Sequence, residues 1–280
     1  MKKFTKMWAI AACALFAGTA AVNAEDYTWK FVTAGDATTY AIRSDGSLWS
    51  WGWNEKGQGG NGVSERTATP TLADGNRVWK KAVGGKAYGF FLAEDGSLWA
   101  AGTHEGGVQG TNDGIDHKVL TRIGTDNDWA DMACSRFWGY SGFAIKTNGT
   151  LWAWGKNSAG QLGIGNTQAQ TAPVQVGADM DWKQVAAGCS SVLALKTDGS
   201  LWGWGFNMYS ELFGHEGKQL SPVRLGSETD WEQVVVIDFR AYAVKKDGTL
   251  WAWGDNANNL LGFNTPTEEE TTAEGNPVEV

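Results

Sequence analysis

The stretch that decides the fold is Leu151-Trp152-Ala153-Trp154-Gly155-Lys156-Asn157-Ser158-Ala159-Gly160-Gln161-Leu162-Gly163. Its Trp-x-Trp-Gly element recurs from Trp49, Trp202 and Trp251, and a changed copy reads Trp99-Ala100-Ala101-Gly102. A turn dipeptide precedes every copy, beginning at Asp45, Asp95, Asn148, Asp198 and Asp247. These positions are 50, 53, 50 and 49 residues apart. A period of this length predicts a repeat architecture such as a propeller or a solenoid.

Each repeat has the composition of four short β-strands. It opens with a lone tryptophan and an apolar strand, Trp182-Lys183-Gln184-Val185-Ala186-Ala187 in one copy, and an alternating strand follows, Val192-Leu193-Ala194-Leu195. The repeat then continues with the turn, the Trp-x-Trp-Gly strand and a Gly-rich loop. It ends with a last strand, such as Pro173-Val174-Gln175-Val176. The pattern predicts an all-β domain over residues 25–280, a five-bladed β-propeller. Its blades would span about 29–78, 79–128, 129–181, 182–230 and 231–280.

The two ends of this domain match each other as neighbouring repeats do. Pro277-Val278-Glu279-Val280 ends the fifth repeat as Pro173-Val174-Gln175-Val176 ends the third, and Trp29 supplies the opening tryptophan that would come next. A closed ring of five blades is therefore favoured over an open arc, and a closed ring predicts a compact monomer.

The turn before the Trp-x-Trp-Gly strand decides which side chains share a face of the sheet. Four repeats have alanine at one place before this turn, but the second repeat has Phe91 there, and its second motif tryptophan is replaced by Ala101. A three-residue loop that ends in a left-handed glycine puts Phe91 on the face of Trp99 and Ala101, whereas a two-residue turn separates them. The three-residue loop is favoured because the Phe91 ring then fills the place of the tryptophan ring that Ala101 lacks.

The tryptophans are predicted to form the core between blades. Fourteen of the 17 belong to the repeats. Burying one such ring removes roughly 200 Å² from water, worth about 5 kcal/mol before entropy is counted. Wedge-shaped blades need large flat side chains of this kind, so binding of a ligand by these fourteen is the minor alternative.

The first 24 residues have the pattern of a bacterial secretory signal. Lys2, Lys3 and Lys6 precede an apolar run, and Val22-Asn23-Ala24 offers small residues for cleavage. Export to the periplasm, the cell surface or the medium is expected, with no membrane span after signal removal. A lipoprotein cut at Cys13 is disfavoured because the apolar run continues beyond it.

The remaining chain is acidic and holds two cysteines. The net charge of −8 becomes about −11 when the three signal lysines are removed. Without a run of basic residues, such a surface repels a phosphate backbone, so nucleic acid is excluded as a partner. Cys134 and Cys189 lie at different places in neighbouring repeats and are predicted to be buried free thiols.

The repeats resemble the regulator of chromosome condensation family. The resemblance rests on Asp198-Gly199-Ser200-Leu201-Trp202-Gly203-Trp204-Gly205, on Gly160-Gln161-Leu162-Gly163, and on Trp182-Lys183-Gln184-Val185-Ala186-Ala187-Gly188. It implies a propeller that presents a surface to another protein. The family includes an exchange factor, a plant ultraviolet photoreceptor and β-lactamase inhibitors, and it usually builds seven blades, whereas five repeats are present here.

Few residues carry the chemistry that a catalytic or metal site needs. His104, His117 and His215 lie in polar loops without a third ligand at zinc spacing, and no Gly-x-Ser-x-Gly or phosphate-binding loop is present. The acidic pairs Asp126/Asp128 and Asp179/Asp181 could hold calcium, but a polar loop tip explains them more simply. The sequence therefore predicts no enzyme, no metal and no cofactor.

Two functions remain in competition. The first is an exported, non-catalytic scaffold that binds another protein through loops on one face. The alternative is a carbohydrate-active enzyme or glycan-binding propeller with its site near the central axis, for which Asp36 and Asp238 are the candidate acids. Light absorption by clustered tryptophans has only their abundance in its favour, and the core explains that abundance.

The candidate partner-binding residues lie in loops that symmetry gathers on one side of the ring. The third repeat has a longer loop there, Ser135-Arg136-Phe137-Trp138-Gly139-Tyr140, and aromatic residues beside arginine are typical of binding hot spots. The full candidate set is Arg136, Phe137, Trp138, Tyr140, Phe239, Arg240, Lys86, Tyr88 and Trp53. Phe137 and Trp138 could instead fold back and plug the central channel.

Overall fold

The computed structural model describes residues 28–137, 139–263 and 276–280. The predicted signal segment and Trp138 lie outside the described residues. Within them, twenty β-strands form five antiparallel sheets, and the helical structure is limited to two single 3-10 turns, Glu105–Gly107 and Ala257–Asn259. The predicted all-β fold with five blades of four strands is confirmed.

Each blade is formed by four consecutive strands. Blade 1 contains β1 (Trp29–Ala34), β2 (Thr38–Arg43), β3 (Leu48–Gly52) and β4 (Thr67–Asp74). Blade 2 contains β5 (Trp79–Gly84), β6 (Tyr88–Ala93), β7 (Leu98–Gly102) and β8 (His117–Arg122). Blade 3 contains β9 (Trp129–Cys134), β10 (Ser141–Lys146), β11 (Leu151–Gly155) and β12 (Gln170–Gln175). Blade 4 contains β13 (Trp182–Ala187), β14 (Ser191–Lys196), β15 (Leu201–Phe206) and β16 (Lys218–Leu225). Blade 5 contains β17 (Trp231–Ile237), β18 (Arg240–Lys245), β19 (Leu250–Gly254) and β20 (Val278–Glu279).

The turn between the second and third strands is the three-residue loop. In blade 1 the Arg43 N–H donates to the Ser47 carbonyl at 3.1 Å, and Gly46 has the left-handed φ of 86° that such a loop requires. The Asp45 carboxylate accepts from the backbone N–H and the hydroxyl of Ser47, whose oxygen accepts from Trp49 Nε1 at 2.8 Å. All five turns repeat this chain of bonds, with Asn148 and threonine as the variants. The repeated Asp-Gly-Ser-Leu-Trp sequence is therefore a self-bonded turn.

Neighbouring blades are joined by their tryptophans. The backbone N–H of each later opening tryptophan donates to the turn glycine of the preceding blade, as Trp182 does to Gly149 at 3.1 Å. The second motif tryptophan donates its ring N–H to a loop carbonyl of the preceding blade, from Trp154 to Val108, from Trp204 to Gln161 and from Trp253 to Glu211, each at 2.8 Å. Trp154, Trp204 and Trp253 are fully buried. These rings are core residues, as predicted.

Blade 2 replaces its missing tryptophan with two other rings. Phe91 pairs with Trp99 across the strands and Gly89 pairs with Ala101, so the four share one face, which confirms the prediction from the turn. A Cβ on Gly89 would lie 2.8 Å from the Phe91 ring. The Tyr40 ring, 5.2 Å from Phe91, donates its hydroxyl to the Gln58 carbonyl at 3.0 Å. In blades 2, 3 and 4 the corresponding carbonyl accepts from the second motif tryptophan of the next blade.

The two ends of the blade series are not covered by another described blade. Trp29 is 45% exposed, although the other opening tryptophans are buried, and Val32 is 66% exposed where its counterpart Val234 is 1% exposed. At the other end Leu250 is 40% exposed, whereas Leu201 at the same place in blade 4 is buried. The blade count agrees with the prediction, but the exposure of these two faces corresponds to the open arc and not to the closed ring that the sequence favoured.

Candidate functional site

The antiparallel order of the strands puts two loops of every blade on the same side of the arc. These are the loops between the first and second strands and between the third and fourth strands. We call this side the loop face, and the opposite side, which carries the three-residue turns, the turn face. Loops of adjacent blades are bonded to each other on the loop face, for example the Cys189 N–H to the Asp238 carbonyl at 3.1 Å. All the predicted partner-binding loops therefore lie on one side.

The long loop of blade 3 reaches across the channel mouth to blade 1. The Arg136 guanidinium donates to the Ala34 carbonyl at 3.2 Å. The Phe137 N–H donates to the carboxylate of Asp36. These two hydrogen bonds connect the blade-3 loop directly to blade 1, past blade 2. Arg136 therefore holds this loop against blade 1.

The pKa of Asp36, at the loop-face end of the central channel, depends on burial and on the charges of neighbouring loops. The residue as a whole is exposed, but its carboxylate loses part of its hydration to the neighbouring loops, and this burial raises its pKa above the ordinary range. The Phe137 N–H and the charges of Arg136 and Lys86 lower the pKa, whereas the negative charge of Asp238 raises it. The two acids that the sequence selected therefore interact.

Seven described residues other than glycine have a left-handed backbone, and three of these lie in the loops between first and second strands. Phe137, Tyr140 and Asp238 have φ values of 47°, 44° and 57°. Such left-handed conformations are unfavourable for residues other than glycine, and each costs on the order of 1–3 kcal/mol. All three lie in the loops between first and second strands, where the propeller scaffold holds them. Strain of this kind is concentrated at functional sites.

The structure divides the predicted binding residues into buried and accessible ones. Tyr88 and Tyr140 are buried, and the Tyr88 hydroxyl donates to the Ser135 carbonyl, so their expected exposure was wrong. Their ring centroids lie 5.9 Å apart in the core, where burial of the large apolar ring surface stabilises the fold. Phe137 is 45% exposed, which supports a surface position for this ring and not a plug. Trp138 is outside the described residues.

The remaining candidates are partly exposed. Lys86, Phe239 and Trp53 are half-buried on the loop face. Arg240 is also half-buried, because its guanidinium is paired with the Asp255 carboxylate at 3.2 Å. Arg240 therefore positions its own loop, and a partner would contact it only at the edge.

Two further residues belong to this surface, and the sequence analysis missed them. Met208 and Tyr209 are 50% and 45% exposed in the loop between β15 and β16, and the Tyr209 ring lies 4.9 Å from the Phe239 ring. A signal was available, since they stand where the clear third repeat has Ser158 and Ala159. We define the rim patch as Phe137, Met208, Tyr209 and Phe239.

A buried carboxylate supports the rim patch from below. Glu211 is fully buried, accepts from the Tyr209 N–H at 2.8 Å and bonds to the Ser191 hydroxyl at 3.2 Å. Burial raises its pKa, and these hydrogen bonds offset part of the effect. In blade 3 the same place holds Gln161, whose side chain accepts from the Ala159 N–H.

We expect Glu211→Gln to stabilise the protein by about 1 kcal/mol at neutral pH, because a neutral amide is less costly to bury than a carboxylate. A raised pKa means that the wild type loses stability as pH rises from about 4.3, the ordinary value for glutamate, through the folded-state value. The gain should therefore vanish in acid, and urea unfolding at several pH values measures it. The matched variant Gln161→Glu should show the opposite change, and equal pH profiles for Glu211→Gln and wild type would contradict the assignment.

The acidic pairs on the turn face bind lysines of the chain itself. Lys196 Nζ lies 2.7 Å from the Asp179 carboxylate and 3.1 Å from that of Asp181, between the Trp182 and Trp202 rings. Lys146 has the equivalent partners in blade 3. The two carboxylates raise the pKa of each lysine. These acids are therefore ion-pair partners in a cation–π cage, and calcium is not needed to explain them.

The described residues contain no cluster of three or more metal-binding side chains. His104 Nδ1 lies 2.7 Å from the Asp116 carboxylate and His117 Nε2 lies 2.8 Å from that of Asp113, so the two rings do not share a site. Cys134 and Cys189 form no disulfide among the described residues, and burial raises the pKa of Cys134 to about 12. Among the described residues, no helix is long and apolar enough to cross a bilayer.

Sequence profiles of two repeat classes match this chain. The profile described as Regulator of chromosome condensation (RCC1) repeat matches residues 45–92 and 148–195, and a second profile of the same description matches residues 29–58. The matched segments begin at the self-bonded turns or at an opening tryptophan.

Curated relatives carry the same repeats in longer chains. The Ultraviolet-B receptor UVR8 of Arabidopsis thaliana is 30% identical over 163 residues, which are 57% of this chain and 37% of the receptor. Human Protein RCC2 is 27% identical over 150 residues, 52% of this chain and 19% of that protein. The chain thus spans well under half the length of these relatives.

Solved structures show the same fold. Prp20p of Saccharomyces cerevisiae superposes with a TM-score of 0.77 at 20% identity, over 91% of this chain and 64% of that chain. Human WBSCR16 gives 0.72 at 18% identity, over 82% and 62%. At these identities the likeness shows the fold alone.

Proposed function

The chain belongs to the regulator of chromosome condensation repeat propellers, and from this premise we propose that it is an exported, non-catalytic scaffold. It binds another protein through the loop face. The observation that carries the proposal is the rim patch: Met208 and Tyr209 are 50% and 45% exposed, the Tyr209 ring packs against the half-buried Phe239, and Phe137 is 45% exposed on the same face. Apolar and aromatic side chains exposed together on a rigid scaffold are typical of protein-binding hot spots.

Solved relatives support a protein partner. Structures of yeast Prp20 include one bound to Kap60, and another is described with its binding properties to Gsp1p and histones. The partner of the present chain is not expected to be any of these, because the predicted signal segment sends it out of the cytoplasm. Its net negative charge favours a partner with a neutral or basic contact surface.

The test uses the loop face and the turn face of the same protein. The double variant Met208→Ser/Tyr209→Ser removes two exposed side chains of the rim patch. We expect at least a tenfold loss of affinity for the partner isolated with the protein from its native host, without a change in Tm, because each side chain is half exposed. The control Val78→Ser/Met180→Ser changes two residues of the turn face that are 53% and 61% exposed.

The outcomes separate the two faces. Loss of binding in the control alone would place the contact on the turn face and overturn the proposed surface. Full binding by both variants would exclude both patches. Arg136 and Arg240 are unsuitable for this test, because their guanidinium groups hold the loops to Ala34 and Asp255.

A glycan-directed enzyme is the second candidate, and the coupling of Asp36 to Asp238 is the observation in its favour. A raised pKa beside a second carboxylate is typical of the general acid of glycoside hydrolases. The channel itself is small, however, with a cavity of about 190 Å³ lined by the inner strands, against roughly 300–1,000 Å³ for ordinary small-molecule pockets. Glycan turnover that Asp36→Asn abolishes, with folding retained, would establish this candidate over the scaffold.

A further inference from the structure

A cavity of about 530 Å³ lies between blades 4 and 5, and we call it the interblade pocket. Phe213 and Gly214 line it from blade 4, and Lys245 and Trp251 line it from blade 5. Trp251 is on the face of β19 that packs on blade 4, because it lies two residues before Trp253, whose ring N–H bonds to that blade. The volume is within the roughly 300–1,000 Å³ of small-molecule pockets.

The lysine of this pocket has one carboxylate partner fewer than its counterparts. In blade 4 the Lys196 Nζ lies 2.7 Å from the Asp179 carboxylate and 3.1 Å from that of Asp181. In blade 5 the Lys245 Nζ is held between two tryptophan rings in the same way, at 4.9 Å and 4.7 Å. Within the described part of the chain, however, its one ion pair is with Asp230, at 3.2 Å. The shorter of the two contacts is the one that blade 5 lacks.

The missing partner is a glutamate that points elsewhere. Glu228 comes two residues before Asp230, as Asp179 comes two residues before Asp181. Its longer side chain turns back and accepts from the Ser227 N–H at 3.0 Å. The place beside the lysine that a carboxylate of the chain occupies in blades 3 and 4 therefore opens into the interblade pocket.

The other side of the pocket is apolar. The Phe213 ring lies 5.6 Å from the Trp253 ring, and Trp251 is half-buried. Counting along the repeat, Gly214 stands where blade 3 has Ile164, which packs against the core between blades 3 and 4. A Cβ on Gly214 would meet no atom within 4 Å apart from its chain neighbours. An apolar group of a ligand can therefore enter on this side.

We propose that the interblade pocket binds a small carboxylic acid with an apolar body. The ligand carboxylate takes the place beside Lys245 that Asp179 takes beside Lys196, and the apolar body lies against Trp251 and Phe213. The Lys245 side chain is 14% exposed, and an ion pair in such a partly buried place is stronger than one in open water. No rim-patch residue lines the pocket, so this site is independent of the loop-face function.

The first test is titration calorimetry of the full chain with 3-phenylpropionate. We expect saturable binding with a Kd of about 1 mM or tighter. The amide of the same acid has the same body without the charge, and it should bind at least tenfold more weakly. The double variant Met208→Ser/Tyr209→Ser should bind the acid like the wild type, which separates this site from the rim patch.

The second test closes the pocket with the chain's own carboxylate. Glu228→Asp gives blade 5 the residue that blade 4 has, so its carboxylate should reach Lys245 and lower the affinity for 3-phenylpropionate at least tenfold without a fall in Tm. Lys245→Met removes the anchor and should cause a similar loss. The matched control is Lys196→Met, which removes the equivalent lysine from blade 4 and should leave the affinity unchanged.

Four results would overturn the proposal. They are no saturable binding of the acid, equal binding of acid and amide, wild-type affinity in Glu228→Asp, or equal losses of affinity in Lys196→Met and Lys245→Met. The last result would mean that the lysines act through stability and not through contact with the ligand. Thermal unfolding of each variant confirms before titration that it is folded.

Discussion

Replacement of Phe91 by alanine should lower the free energy of unfolding by about 3–5 kcal/mol. The ring is fully buried between Tyr40 at 5.2 Å and Trp79 at 6.1 Å, and it occupies the space that the second motif tryptophan fills in other blades. Ala101 beside it cannot fill the resulting cavity. Urea unfolding of the variant and the wild type measures the difference.

The double variant Phe91→Ala/Ala101→Trp is the control for this prediction. It restores the pair that four other blades have, and the new ring N–H could share the Gln58 carbonyl that Tyr40 now uses. The double variant should recover much of the lost stability, as a double-mutant cycle will show. A loss below about 1 kcal/mol for Phe91→Ala alone would mean that the two residues do not share a packed face.

Replacement of Trp204 by alanine should cost about 5 kcal/mol, at the upper end for a buried ring. The ring lies 6.1 Å from Trp182 and 6.5 Å from Phe143, and its N–H satisfies the Gln161 carbonyl of the preceding blade at 2.8 Å. Removal leaves both a cavity and a carbonyl without its donor, which adds about 1–3 kcal/mol to the loss of packing alone. The unfolding midpoint in urea is again the measurement.

The matched control is Trp51→Ala, which removes the same motif residue from blade 1. No described blade packs in front of blade 1, and the half-buried Trp51 ring packs against Trp29 at 6.2 Å. We expect a cost of roughly 1–2 kcal/mol at concentrations where the chain is monomeric. Equal costs for Trp51→Ala and Trp204→Ala in a monomer would contradict the open arc.

The local rules of the fold could be read from the sequence because they act within a few residues. The three-residue turn and the face shared by Phe91 and Ala101 follow from the two-residue period of a strand and from the left-handed glycine. Five blades of four strands follow from a period of about 50 residues. Each repeat contains its own turn, strands and tryptophans, so these elements required no knowledge of distant contacts.

The functional surface was predictable only in part. The sequence located the long loop of blade 3 because it departs from the repeat, but it placed Tyr88 and Tyr140 at the surface, and both are buried. Exposure depends on what the neighbouring blade contributes to the same space. Tyr209 was missed because its contact with Phe239 joins two blades. The acids before the opening tryptophans looked free in the sequence, and Lys146 and Lys196 reach them only across the turn.

The sequence by itself determined the repeat, its four strands, the self-bonded turn and the use of tryptophan as core, because each depends on contacts within a blade or on an identical neighbour. Only the tertiary structure decided whether five such blades close. Closure depends on the rotation between consecutive blades, a small angle that every packed interface sets and that accumulates along the arc. No single repeat encodes the sum of these angles, and for this reason the matching ends of the sequence did not reveal that Trp29 and Leu250 would remain exposed.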